Sequence, residues 1–290
     1  MSPLRLFSLL GSLAWAVAVS QAAPESLTSG ATTEFEVELP KSLRAIAGGG
    51  REHEVTRARV TVGVPADFKT GDVRPILIVN ATTDVKFRSS RRLAGFYTES
   101  AMAAGWIIVA VDPFEDIPQI EDTVLLRMAL ARAALAALEN WMPGAQHWPL
   151  ALAGFSGGAK ISGWLAAIFA LEGQIPLGVF QAGINENTLA SGEKQFRVKA
   201  PGFKQVPVFL LSGDKDEIAT PDDHRRILRE LKRAGYTHVE LESFAGPHGV
   251  DPRPLKRALD WFREVEALQF DQPLKVEDRI TKPKFLQKTK

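Results

Sequence analysis

The chain has 290 residues, a formal net charge of +1 at pH 7 and no cysteine. The length suits one large α/β domain, and the balanced charge gives no electrostatic basis for nucleic-acid binding. The lack of cysteine excludes disulfides, thiolate metal sites and a cysteine nucleophile.

The first 22 residues have the three parts of a secretory signal. Arg5 provides a short positive region, Leu6 to Val19 form an apolar stretch of 14 residues, and Ser20-Gln21-Ala22 supplies small residues for cleavage. The stretch is shorter than the roughly 20 residues that a membrane span needs, and an uncleaved N-terminal anchor is the alternative. We therefore expect residues 1–22 to be a signal peptide. The mature protein is then secreted or periplasmic, with no stable membrane association after cleavage.

Strand patterns alternate with helix patterns along the rest of the chain. The predicted strands are Thr33–Leu39, Val55–Val64, Pro75–Val79, Trp106–Val111, Leu150–Phe155, Ile175–Gln181, Val206–Leu211 and Val239–Phe244. The predicted helices are Arg91–Ala104, Glu121–Asn140, Ala159–Leu171, Pro221–Ala234 and Pro252–Leu268. This alternation predicts an α/β fold with a mostly parallel, doubly wound sheet of eight strands and helices on both faces.

Three segments outside these elements bear on the domain organisation. Lys41–Arg51 contains three consecutive glycines and is expected to be a loop. Ala182–Gln205, between the sixth and seventh strands, is too short for a separate lid domain. Residues 270–290 are polar and lysine-rich, which indicates a basic surface tail.

The most informative motif is Gly154-Phe155-Ser156-Gly157-Gly158, between the fifth strand and the helix after it. Gly-x-Ser-x-Gly in this position is typical of a nucleophile elbow, a tight turn that lifts a serine above the sheet. Gly154 and Gly158 lack a Cβ, which lets the strand and the helix approach closely. The alternatives are an ordinary strand–helix turn and a phosphate-binding turn, although the usual nucleotide-binding glycine motifs are absent from this segment.

Two later strands, the seventh and the eighth, are followed by an acidic cluster and by a histidine, respectively. Ser212-Gly213-Asp214-Lys215-Asp216 ends the seventh strand, and Gly246-Pro247-His248-Gly249 ends the eighth. In open α/β sheets the functional crevice lies at the carboxyl ends of the strands. No metal-ligand spacing such as His-Glu-x-x-His occurs among the other histidines, so we expect neither a metal nor another cofactor. Those histidines are His53, His147, His224 and His238.

With serine, acid and histidine in this chain order, the sequence resembles the α/β-hydrolase superfamily from about Glu34 to Gln269. More specifically, it resembles secreted serine esterases of the dienelactone hydrolase and carboxylesterase type. The resemblance implies an α/β-hydrolase fold without a large lid domain, with residues 23–269 as the catalytic domain. It also implies hydrolysis of a small-molecule carboxylic ester by a triad of Ser156, Asp216 and His248.

The resemblance also implies a role for each residue of the triad. Ser156 attacks the substrate carbonyl after His248 removes its proton, and the acid orients His248. In similar proteins the acid commonly lies three residues after the glycine that ends this strand, which favours Asp216 over Asp214. Glu186, after the sixth strand, is a third candidate.

An oxyanion hole needs two backbone N–H donors. The resemblance places one at Gly157, directly after the serine, and the other in the loop after the third strand, where we choose Thr82. Similar proteins often have His-Gly in that loop, whereas this chain has Asn80-Ala81. Asn80-Ala81-Thr82 is formally a glycosylation sequon, but a strand end beside an active site is a poor place for a glycan.

The substrate pocket is less clear from the sequence. Candidate lining residues are Phe87, Arg88, Asp112, Pro113, Phe114 and Asn185. An arginine near the mouth could bind a substrate carboxylate, but Arg88, Arg91 and Arg92 fit solvated helix-face charges better, and Phe155 and Trp164 fit the core better than a substrate platform.

Other functions stay open at the level of sequence. The same triad could serve a peptidase, thioesterase or acyltransferase, because preferring esters rests on resemblance. The unusual Asn80-Ala81 segment is the one feature that favours a non-catalytic secreted binding protein on a hydrolase fold. The sequence does not determine the oligomeric state.

Overall fold

The computed structural model describes residues 25–48, 53–69, 71–84 and 86–269. The predicted signal peptide and the predicted basic tail lie outside the described residues. The described residues form eight strands: β1 (Thr32–Glu38), β2 (Arg57–Gly63), β3 (Ile76–Asn80), β4 (Ile107–Pro113), β5 (Leu150–Phe155), β6 (Gly178–Ala182), β7 (Val208–Gly213) and β8 (Val239–Phe244).

In this part of the chain, seven α-helices connect or flank the strands. They are α1 (Lys41–Ala47), α2 (Ser90–Ala103), α3 (Val124–Leu138), α4 (Gly157–Leu171), α5 (Thr188–Phe196), α6 (Pro221–Arg233) and α7 (Arg253–Gln269). One core cluster joins α2 and α7 to one face of the sheet, and the other joins α1, α3, α4 and α6 to the opposite face. The prediction of helices on both faces is therefore confirmed.

The strands form one sheet in the order β1-β2-β4-β3-β5-β6-β7-β8. The β1–β2 and β2–β4 pairs are antiparallel, and all other pairs are parallel. The predicted eight-stranded, mostly parallel sheet is confirmed. The strand order reverses next to β3, which pairs with both β4 and β5. In open α/β sheets the functional crevice lies at such a switch point, which here is between the loop after β3 and the turn after β5.

The expected loop at Lys41–Arg51 is wrong over its first part, where α1 forms. Leu43, Ile46 and Ala47 are buried on one side of α1 and join the core cluster that contains α3. Their spacing places them on one helical face, and burying that face against α3 stabilises a helix too short to be stable alone.

Several predicted boundaries also shift, without changing the architecture. The long alanine-rich helix α3 begins at Val124, because Thr123 caps it by accepting a hydrogen bond from the Leu126 N–H. The segment between β6 and β7 contains α5, whose N-cap Asn187 accepts from the Ala190 N–H. Together with a three-residue 3-10 turn at Phe203–Gln205, this nine-residue helix fills the connection, which is too short for a lid domain.

Candidate active site

The turn after β5 has the strained geometry that its glycines predict. Ser156 has φ 55° and ψ −122°, a region that side-chain-bearing residues rarely adopt. A Cβ at Gly154 would lie 2.6 Å from the Ala159 nitrogen, and one at Gly158 would lie 2.7 Å from the Asn80 carbonyl carbon. Only glycine allows these approaches, so the motif fixes the height and direction of the serine.

A continuous hydrogen-bonded chain runs from Ser156 through His248 to Asp216. The His248 Nε2 is 3.0 Å from the Ser156 Oγ, and the His248 Nδ1 is 2.7 Å from the Asp216 Oδ2. The three residues follow β5, β8 and β7 respectively. Asp216 lies 32 positions and Ser156 lies 92 positions before His248 in the sequence, and the parallel strands bring the three side chains together.

The environment of Asp216 keeps its carboxylate ionised. The side chain is 1% exposed, and its Oδ1 accepts hydrogen bonds of 2.8 Å from the backbone N–H groups of Ile218 and Ala219. Burial by itself raises the pKa of Asp216, but the hydrogen bonds from His248 and from the two backbone groups outweigh it and hold the pKa below its ordinary value. An ionised Asp216 accepts the Nδ1–H of His248, which leaves the Nε2 lone pair facing Ser156.

The structure brings Asp216, and not Asp214, to the histidine. The Asp214 Oδ1 instead accepts a 2.8 Å hydrogen bond from the Gly246 N–H, and the Lys215 N–H donates to the Gly246 carbonyl at 2.9 Å. Asp214 therefore fastens the loop that carries His248. The third candidate, Glu186, forms a surface ion pair with Lys160 at 2.7 Å.

Thr82 and Gly157, the two residues predicted as oxyanion donors, lie side by side. A Cβ at Gly157 would come within 2.9 Å of the Thr82 Cβ and 3.2 Å of the Thr82 Cα. Gly157 is the first residue of α4, where backbone N–H groups have no intrahelical acceptor. The two backbones thus meet beside the serine, at the positive end of the α4 dipole.

Asn80 begins the Asn80-Ala81 segment that differs from the His-Gly pattern, and it has a structural role. The residue is 4% exposed, and its Nδ2 donates to the Ser162 Oγ at 3.1 Å. This bond connects the end of β3 to α4. The burial also makes Asn80 inaccessible as a glycosylation site.

Phe155 and Gly183 lie against the His248 ring, although the sequence indicated a core side chain for Phe155 and no role for Gly183. The Phe155 ring lies 4.6 Å from the imidazole, centroid to centroid, at an interplanar angle of 39°. Gly183 has φ 60°, and a Cβ there would lie 3.0 Å from the His248 Cε1. Phe155 therefore packs against the histidine, whereas its position in the motif indicated only a core side chain.

Most of the predicted pocket residues have other partners. Asp112 accepts hydrogen bonds from the backbone N–H groups of Ser90 and Arg91, which caps α2. Phe114 lies beneath the guanidinium of Arg57, whose carbon is 3.6 Å from the ring centroid. These interactions do not involve the triad, and the place of both residues in the pocket stays a prediction.

The remaining predicted pocket residues lie on loops at the same edge of the sheet. Arg88 is bound by the Asp116 carboxylate and the Ile117 carbonyl, so its charge already has a partner. The Asn185 Nδ2 donates to the Ile218 carbonyl at 3.3 Å, beside the Asp216 turn. Phe87 is 57% exposed.

His224 is buried near the site but serves the fold. Its Nδ1–H donates to the Thr220 carbonyl at 3.0 Å, and its Nε2 accepts from the Ile184 N–H at 3.1 Å. Burial lowers the pKa of His224 below its ordinary value. The neutral ring therefore links α6 to the loop after β6.

Within the described ranges, no group of three or more histidine, cysteine, aspartate or glutamate side chains is arranged to hold a metal ion. Among the helices of the same residues, none combines the length and the apolar character that a membrane span requires.

Comparisons with known proteins show a similar fold in solved structures. No model of a known protein family matches the sequence, and no curated protein matches it. Among solved structures, a lidless α/β serine hydrolase from Xanthomonas campestris is 17% identical, with a TM-score of 0.53 over 83% of this chain and 97% of that one. A cold-adapted esterase from an Arctic intertidal metagenomic library is 18% identical, with a TM-score of 0.53 over 84% of this chain and 94% of that one. The likeness confirms the prediction that the chain has the α/β-hydrolase fold.

Proposed function

We propose that the protein is a secreted serine hydrolase that cleaves small-molecule carboxylic esters through an acyl-enzyme on Ser156. The observation that carries the proposal is the hydrogen-bonded chain from Ser156 through His248 to a buried, ionised Asp216. A strained serine beside the first residue of α4 and the loop after β3 is the arrangement that acyl transfer needs.

In the proposed mechanism, the Ser156 Oγ attacks the carbonyl carbon of the ester while the His248 Nε2 takes its proton. The carbonyl oxygen becomes an oxyanion, and the backbone N–H groups of Gly157 and Thr82 stabilise it. When the tetrahedral intermediate collapses, the bond to the alcohol oxygen breaks and His248 returns the proton to the departing alcohol. Water then attacks the acyl-enzyme by the same route and releases the acid. Asp216 stabilises the imidazolium in both halves of the reaction.

The preference for esters is supported by the fold comparisons, since the similar structures include an esterase and a lidless serine hydrolase. The connection between β6 and β7 holds α5 and a short 3-10 turn, so no domain is built over the serine there, which supports access by small substrates. The motif at residues 1–22 supports secretion.

The first experiment is labelling of the purified protein with a fluorophosphonate, with the adduct located by mass spectrometry. We expect an adduct on Ser156 that is lost in Ser156→Ala and strongly reduced in His248→Ala, since labelling requires the activated serine. A folded protein that never labels would refute the proposal and favour a non-catalytic binding protein.

The substrate class is tested on the labelling-competent protein. Matched p-nitrophenyl esters, peptide anilides and acyl thioesters are compared by kcat/KM, and we expect the esters to be preferred. A preference for anilides or thioesters would replace the ester assignment while keeping the serine mechanism.

Secretion is tested by N-terminal sequencing of exported protein, which should begin after Ala22. A retained residue 1 would contradict cleavage.

A further inference from the structure

Arg127 is a buried cation whose hydrogen bonds converge on the loop between β3 and α2. The side chain is 2% exposed and lies on helix α3, whose only other charged residue is Arg132. Its Nε and Nη2 form a bidentate pair with the Asp122 carboxylate, at 2.7 Å and 2.5 Å. A paired arginine of this kind has a fixed guanidinium plane, and its remaining N–H groups have defined directions.

These remaining donors reach both ends of the β3–α2 loop. The Nη1 donates to the Ser90 Oγ at 3.1 Å, and the Nη2 donates to the Arg88 carbonyl at 3.3 Å. The same Ser90 Oγ accepts the Ala81 N–H at 3.3 Å. One guanidinium therefore fixes the end of the loop through Arg88 and, through the Ser90 hydroxyl, its beginning at Ala81.

Asp112 completes this network from β4. Its Oδ1 accepts from the Arg127 Nη1 at 3.3 Å and from the Ser90 N–H at 2.7 Å. Arg127 on α3 thus binds the hydroxyl of Ser90, and Asp112 on β4 binds its backbone N–H. The network consists of Arg127, Asp122, Asp112 and Ser90, and it is connected to the active site through Ala81, which is followed directly by Thr82.

We infer that Arg127, acting through Ser90, is a positioning residue for the oxyanion hole. The inference rests on the proposed function, in which the Thr82 N–H is one of the two oxyanion donors. An oxyanion donor is effective only when it is held at the right distance and angle before the reaction. The Ala81–Ser90–Arg127 chain supplies that constraint at the residue before Thr82, and Arg127 itself does not touch the substrate.

The test compares Arg127→Met and Ser90→Ala with a matched control on the same helix. Arg132 is also largely buried on α3, and it pairs with Glu172 and with Gln174 at 2.9 Å, away from the loop. Arg132→Met therefore removes a comparable guanidinium without touching the network. Each variant is assayed for kcat and KM on p-nitrophenyl acetate, for the inhibition constant of a trifluoromethyl ketone that forms a tetrahedral adduct, and for melting temperature.

We expect Arg127→Met to lower kcat about ten- to hundredfold, less than the loss of a whole donor, with KM nearly unchanged. The trifluoromethyl ketone should bind more weakly by a similar factor, because its adduct uses the same donors. Ser90→Ala should change both quantities in the same direction by a smaller factor. Arg132→Met should lose thermal stability but keep kcat and inhibitor binding within about threefold.

The inference is overturned if folded Ser90→Ala and Arg127→Met keep the wild-type kcat and ketone affinity. It is also overturned if Arg132→Met shows the same kcat loss, because the effect would then follow stability alone. Ser90→Ala carries the test by itself if Arg127→Met does not fold, since it deletes one hydroxyl and leaves the buried ion pair in place. Failure of the proposed function is distinguishable, because the wild-type protein would then neither label nor turn over.

Discussion

Replacing Asp216 with asparagine should abolish most activity while preserving the fold. The Oδ1 position accepts two backbone N–H groups, from Ile218 and Ala219, and only the amide oxygen of asparagine can fill that role. The NH₂ group must then face the His248 Nδ1, which lies 2.7 Å from the present Oδ2. His248 must accept at Nδ1 and carry its proton on Nε2, so it faces Ser156 as a donor and no longer as a base.

The expected loss follows from this change of tautomer. In a serine triad, asparagine in place of the acid lowers kcat about 10⁴-fold with the geometry intact. At about 1.36 kcal/mol per tenfold, that corresponds to about 5 kcal/mol of transition-state stabilisation. The melting temperature should change little, because asparagine keeps both backbone hydrogen bonds.

The assay is kcat/KM on a p-nitrophenyl ester, with Asp214→Asn as the matched control. Asparagine at position 214 keeps an acceptor oxygen for the Gly246 N–H, so activity should stay within about threefold of wild type. A folded Asp216→Asn that retains more than a tenth of wild-type activity would refute the reasoning. So would a large loss in Asp214→Asn, which would make Asp214 the functional acid.

Three further substitutions test the surrounding structure. Gly157→Ala should lower kcat about 10²-fold or more, because the new Cβ would lie 2.9 Å from the Thr82 Cβ and displace an oxyanion donor; a kcat within threefold of wild type would contradict the crowding. Burial lowers the pKa of His224, so below about pH 6.5 the unfolded chain binds a proton that the folded chain does not. Wild type should therefore exceed His224→Gln in free energy of unfolding, measured by urea denaturation, by the largest amount at about pH 7.5 and by less towards about pH 5. If the ring is protonated in the folded protein, this difference in free energy of unfolding should not decrease. Gly178→Ala should cost about 1–3 kcal/mol of stability, since its Cβ would lie 2.6 Å from a buried Phe262 ring carbon; a cost below about 0.5 kcal/mol in the same assay would show that the core yields.

The strands were predictable because most are buried parallel strands with continuous apolar runs. All eight occur where the sequence indicates them, with ends shifted by a few residues. Helix α1 was not predicted, because seven residues beside a run of glycines carry little periodic signal. Its helical state depends on packing Leu43 and Ile46 against a distant part of the chain, which local sequence cannot show.

The position of the candidate site follows from the sequence, but its finer assignments do not. Ser156 and His248 stand in distinctive glycine-containing turns, so motif and chain order suffice to select them. Asp214 and Asp216 follow the same strand, and only the path of the His248 loop distinguishes them. Arg127 is one of two arginines in a helix rich in alanine and leucine, where an arginine resembles a surface charge. Its partners lie on three other segments, so its role depends on tertiary contacts.

The order of strands in the sheet also determines when the proposed activity can arise during folding. The elbow follows β5, in the middle of the sheet, whereas His248 follows β8, the strand at its edge and 92 residues beyond Ser156. Pairing between distant segments is slow, since loop closure must come first, and synthesis delivers the N-terminal part of a chain earlier. A partly assembled sheet would already contain the strained serine but no base to activate it. The proposed hydrolysis therefore requires β8 to be docked in the sheet, and its onset during refolding should report that step.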